Sequence, residues 1–259
     1  MHTFVGEHDA EGVFFYHCDA IADFAVANQR LGGPAFNAER MTWIKPSFAW
    51  MLYRAGYGSK HGQQRILKMK LPHEAVADLL RGSACKHGGG GTKGRVQWDP
   101  ARDLMSSEGR GHSAEPRKML SERAIQVGLS RDLSAHFVAS TTSIEDVTEL
   151  ARRVGEAHRE RDVPAAMRVL ATEVSLPYER PYTPRLPPEE LDRLRMRAPS
   201  LDAPGADAAV DAYVNHAVHP PHADADADAN AVILTTPLAQ RDVPLPASTT
   251  GCAACAPGK

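Results

Sequence analysis

The chain has 259 residues, of which 24% are charged, with a formal net charge of -2 and a mean hydropathy of -0.37. That balance excludes a global field that would draw the protein to nucleic acid or membrane, so any basic patch must be local. No apolar run is long enough to cross a bilayer, and the opening MHTFVGEHDAEG carries acids where a secretory signal needs an apolar stretch. The four cysteines (Cys18, Cys85, Cys252, Cys255) show no framework spacing, so reduced thiols and a cytoplasmic location are expected.

In chain order, GVFFYHC reads as a strand, being short, aromatic and β-branched. DAIADFAVANQRLGG reads as a helix with Asp19 as N-cap, placing Ile21, Phe24, Ala25 and Asn28 on one face. RMTWI is extended, because a residue before proline is pushed out of the helical region. PSFAWMLYRAG is a helix with Pro46 near its first turn and Gly56 just past its end. QRILKMKL is a strand, PHEAVADLLRG a helix, and GRVQWDP and RAIQVGL are strands. RDLSAHFVA, SIEDVTELARRVGEAHRERD and PAAMRVLA follow as helices. KHGGGGTKG and MSSEGRGHSAEPRK are loops; the glycine run precedes a strand and lacks the Gly-Lys-Ser/Thr of a phosphate loop. The expectation is an α+β domain over residues 1–183, with a small mixed or antiparallel sheet of about five strands and flanking helices.

From Pro184 the composition shifts to Pro, Ala and Asp with few aromatics, as in HPPHADADADANA and PLPASTTGCAACAPGK. Such segments bury too little apolar surface to offset the entropy of ordering, so 184–259 is expected to be a largely disordered tail, with PPEELDRLRMRA as a short helix. One C-x-x-C pair, with its nearest histidines far upstream, lacks the four ligands of a structural zinc site, so no metal is expected.

The chemistry concentrates in RMTWIKPSFAWMLYRAGYGSKH, residues 40–61, where rings and cations alternate. A core takes the rings and rejects the charges; a solvated face does the reverse. A site for a flat anionic ligand takes both. Trp43 and Lys45 point the same way in an extended segment, Arg40 lies just before it, and Trp50, Tyr53, Arg54 and Tyr57 share a helix face. The helix start offers free N–H groups to a phosphate, and Lys60 lies just beyond its end. Farther on, Arg95, Gln97 and Asp99 fall on one face of a strand, and Gln126 stands alone between Ile125 and Val127. Two readings stay open for each: Trp50 as core or as ligand contact, Arg40 as ligand-binding or paired with Asp99, and the polar strand faces as cleft lining or wet surface.

ERMTWIKPSFAWMLYRAGYGSK, with QQRILKMKL, RVQWDPARDL, RAIQVGLS, IEDVTELARRV and ERPY, resembles domain-of-unknown-function family 4291 over about Val13 to Tyr182. Tyr16 is kept from the family's usual Y-Q-A-Y, with YHCD in its place here. The resemblance implies a single α+β domain, in a layout similar to ADP-ribosyltransferase-like folds, and no activity by itself. The leading expectation is a nucleotide site for NAD. Gln126 and Asp99 take the catalytic roles at the ribose; Arg40, Trp43, Lys45, Tyr53, Arg54, Lys60, Arg95, Gln97 and Tyr16 bind ligand. A single-stranded nucleic-acid or RNA binder and a non-enzymatic interaction domain are the alternatives.

Overall fold

The computed structural model describes residues 1–18, 20–85, 93–107 and 117–197, with backbone alone at 105–107 and 117–118. In chain order its elements begin with β1 (Val5–Gly6), β2 (Gly12–Cys18), α1 (Ala22–Asn28), β3 (Thr42–Ile44) and α2 (Phe48–Ala55). Next come β4 (Ile66–Pro72), α3 (His73–Arg81), β5 (Ser83–Cys85), β6 (Gly94–Ser107) and β7 (Arg117–Leu129). The fold continues with α4 (Asp132–Ser140), β8 (Ser143–Asp146), α5 (Thr148–Ala157), α6 (Val163–Glu173), β9 (Arg180–Pro181) and α7 (Pro188–Arg193).

The α+β class holds, but the strands form three small sheets: β1-β9, β2-β4-β8 and β3-β7-β6-β5. The last two meet at one point. Tyr16 N–H donates to the Lys45 carbonyl at 2.6 Å, and Lys45 N–H returns to the Tyr16 carbonyl at 3.0 Å. Strand alternation sorts the core. Ile44, Val96, Ile125, Val127 and Leu129 join Val13, Phe15, Leu67, Met69 and Leu71 in one cluster. Tyr16 and Ile66, from the opposite face of the three-stranded sheet, pack with Phe48, Met51 and Leu52 of α2 and with α5 and α6. No helix among the described residues is long and apolar enough to cross a membrane.

Several sequence expectations need correction. SIEDV does not open a helix: β8 pairs Ile144 with Met69, and Asp146 then accepts from Thr148 N–H at 2.9 Å, so α5 starts only there. In α1 the buried side is Ile21, Ala22 and Ala25, while Phe24 and Asn28 face solvent; Asp19 lies outside the described residues. β6 and β7 run into the stretch expected as a loop, reaching Ser107 and starting at Arg117, and 108–116 lie outside the described residues. Burial continues past Tyr182: Leu191, Leu194 and Met196 enter the main core, and Trp98 Nε1–H donates to the Leu194 carbonyl at 3.0 Å. Residues 198–259, including Cys252 and Cys255, lie outside the described residues.

Candidate functional site

Pairing places three polar rows on the face of the four-stranded sheet turned away from the main core, where Trp50 of α2 packs on Ala124. Trp43 pairs with Gly128 and Gly128 with Arg95; Gln126 pairs with Gln97; Asp99 pairs with Ala124. Lys45 follows the Ile44–Val127 pair, one step toward Gln126. Because Ile44, Val127 and Val96 go to the core, period two sends Trp43, Lys45, Gln126, Arg95, Gln97 and Asp99 to the other side. Gly128 is the position that lets the indole lie down: an added Cβ would come within 2.6 Å of Met41 Sδ and 3.0 Å of Trp43 Cε3.

The Gln126 amide joins the rows. Its Nε2 donates to Gln97 Oε1 at 3.0 Å and to Asp99 Oδ2 at 2.5 Å. Among the described residues the Gln97 NH₂ and the Gln126 carbonyl take no further partner, so an amide donor and an amide acceptor remain for a ligand.

Lys45 is 5% exposed. Burial pushes its ammonium down to about 8; Cys18 and Asp99 pull it partly back, and Arg54 opposes them. No ion pair compensates that burial among the described residues, nor does one engage Arg40, Arg54 or Arg95. The strand carrying Lys45 is pinned from β2, where His17 Nδ1–H donates to the Trp43 carbonyl at 2.9 Å.

The rings divide between two tasks. Trp43 is half-buried, outside the core clusters, and stays available on the sheet face. Trp50 is core: it packs on Ala101 and Ala124 and stacks on Tyr53 at 5.5 Å with planes 18° apart. Arg102 lies 3.9 Å from the Tyr53 centroid, so that ring already holds a cation. Tyr57 follows the left-handed Gly56, leaves the helix and is buried with the second cluster, apart from the face expected for it.

The start of α2 does not await a phosphate. Ser47 caps Trp50 N–H, and Phe48 N–H donates to Glu179 Oε1 at 2.5 Å. Glu179 is 4% exposed, and its burial pushes the carboxyl up to about 8, against the pull of the Phe48 and Ala49 N–H groups and the Ser47 hydroxyl. Tyr16, expected as a ligand contact, is fully buried against Phe48 and donates its hydroxyl to Glu7 Oε2 at 3.1 Å. Lys60 closes the other end of α2, its ammonium donating to the Arg54 carbonyl at 2.9 Å. Arg40 is exposed in the turn before β3, and Arg54 is exposed on α2.

The structure therefore brings together Trp43, Lys45, Arg95, Gln97, Asp99 and Gln126, with Arg54 close enough to act on Lys45. It does not add Tyr16, Tyr53 or Lys60 to that face. Glu179 leaves one trace in the sequence, an acid in the proline-flanked stretch PYERPY, and nothing there assigns it to the start of α2.

Over residues 4–182 the chain matches the model of a family described as Domain of unknown function (DUF4291). It belongs to that family. The match takes in β1 and Glu7, upstream of the segment that carried the resemblance. No curated protein and no solved structure matches the chain.

Proposed function

We propose that the face of β3-β7-β6 turned away from the main core binds a nucleotide of the NAD type. The observation that carries this reading is the Gln97–Gln126–Asp99 junction beside a buried lysine without an ion pair. A dinucleotide needs a ring to stack on, cations for its diphosphate and hydrogen-bonding groups for its ribose. Trp43 supplies the first, Lys45 and Arg95 the second, and the amides with Asp99 the third.

The reading also rests on the ADP-ribosyltransferase-like layout that the family resemblance implies, a fold-level analogy that assigns no residue a role. In chemistry of that kind the bond from ribose to nicotinamide breaks, its electron pair leaves with nicotinamide, and an acceptor's lone pair closes on the ribose carbon. Asp99 would offset the positive charge that builds on the ribose, and Gln126 would hold that carboxylate in place.

Titration of the protein with NAD and ADP-ribose, followed by tryptophan fluorescence, tests the reading. Saturable quenching at micromolar to millimolar concentration, lost in Trp43→Ala, is expected. Absence of binding by NAD, ADP-ribose and ATP alike at millimolar concentration would sink it. Tight binding of single-stranded RNA with a steep inverse dependence on salt would point to nucleic acid instead.

A further inference from the structure

β3 pairs with β7 only at Thr42–Leu129, Trp43–Gly128 and Ile44–Val127, so the β7 edge runs on toward Ser121 with no strand beside it among the described residues. A cavity of about 560 Å³ opens there, within the range that holds a small metabolite. Ala124 and Arg123 line it from the strand, Ser47 and Glu179 from the start of α2, and His2 and Arg197 from the chain segments that cross the edge. None of Trp43, Lys45, Arg95, Gln97, Asp99 and Gln126 forms part of its wall, so it is separate from the face described above.

We propose that this cavity is a second binding site, for a small phosphomonoester that carries hydroxyl groups. Arg123 and Arg197 make no ion pair among the described residues, and they would receive the phosphate. Positive charge gathers on this side. Burial and then surrounding cations, Arg123, Arg195 and Arg197 among them, hold the His2 imidazole below its usual range. The other charges on the wall are accounted for: Arg180 donates to the His8 carbonyl at 2.6 Å, Asp103 is engaged within the protein, and Glu122 is exposed. At the inner end, Glu179 Oε2 is buried with no hydrogen-bond partner, beside the Ser47 hydroxyl. A buried oxygen of that kind is costly to leave unmade, and a ligand hydroxyl completes it.

The test is a titration of the full chain with ribose 5-phosphate, followed by backbone amide shifts. Shifts should centre on Ser121–Ala124 and Arg180. The double variant Arg123→Gln/Arg197→Gln, at exposed positions that leave folding intact, should weaken binding about tenfold or more. Arg95→Gln should leave it within about twofold. Inorganic phosphate should bind the same residues more weakly, having no hydroxyl arm for Glu179. Shifts centred on Trp43 and Lys45, an unchanged affinity in the double variant, or no shifts at tens of millimolar would each overturn the proposal.

Discussion

The cations of β4 and those of the β3-β7-β6 face meet opposite fates. On and beside β4 each one has carboxylates: Arg65 meets Asp146 at 2.5 Å and Asp23 at 2.6 Å, Lys68 meets Glu7 at 2.7 Å, and Lys70 meets Glu11 at 2.5 Å and Asp9 at 2.8 Å. On the other face Lys45 is more deeply buried than any of these, and neither it nor Arg95 has an acid in ion-pair reach among the described residues. A charge that serves the fold comes with its counter-charge, because burial without one is expensive. A buried charge kept without a partner loses stability, and that loss makes sense when a ligand supplies the missing anion. The sheet with paired cations is framework; the face with unpaired ones carries the proposed site.

The largest expected effect lies in the framework. Lys68→Met leaves Glu7 and the Tyr16 hydroxyl facing one another without their cation. Urea unfolding should show a loss of about 3 kcal/mol. A loss below about 0.5 kcal/mol would mean that the paired cations are not structural, and the contrast would collapse.

Next comes the pH dependence of Glu179. Its folded-state value, raised from 4.5 to about 8, gives stability that is complete below about 4.5 and is lost as pH rises through about 8. Denaturation curves between pH 6.5 and 9 should show wild-type stability falling by about 2 kcal/mol from this group, and Glu179→Gln should lack that fall. Parallel curves for the two proteins would show that Glu179 is ionised in the fold.

Lys45→Met should behave in the opposite way to Lys68→Met. Removing an unpaired buried ammonium should leave stability unchanged or raise it by about 1 kcal/mol at pH 7. The smallest effect on the fold is expected from Arg95→Ala, within about 0.5 kcal/mol by thermal melting, yet it should weaken NAD binding about tenfold. An equal loss of stability from Lys45→Met and Lys68→Met would erase the distinction between the two sheets.

The grouping of residues on the proposed site's face was more legible in the sequence than the layout around it. Period two alone puts Trp43 with Lys45, and Arg95 with Gln97 and Asp99, and a lone Gln126 between apolar neighbours already demands partners. What could not be read was contact across long sequence separation. Glu179 reaches Phe48 from 131 residues away, and no local pattern states that a helix start is already filled. Tyr53 looked free on its helix face, but Arg102 comes onto it from β6. SIED was absorbed into the helix that follows because its single buried residue, Ile144, also fits the helical period of Val147 and Val154.

The central claim, that a ligand supplies the anion Lys45 lacks, is tested most directly by the protons taken up on NAD binding. Near pH 8 the free ammonium is about half protonated, and a phosphate beside it would raise its pKa and draw in a proton. Calorimetric titrations at pH 8 in buffers of different ionisation enthalpy should show an uptake of about half a proton, absent in Lys45→Met. Binding with no uptake, or the same uptake in Lys45→Met, would contradict the account.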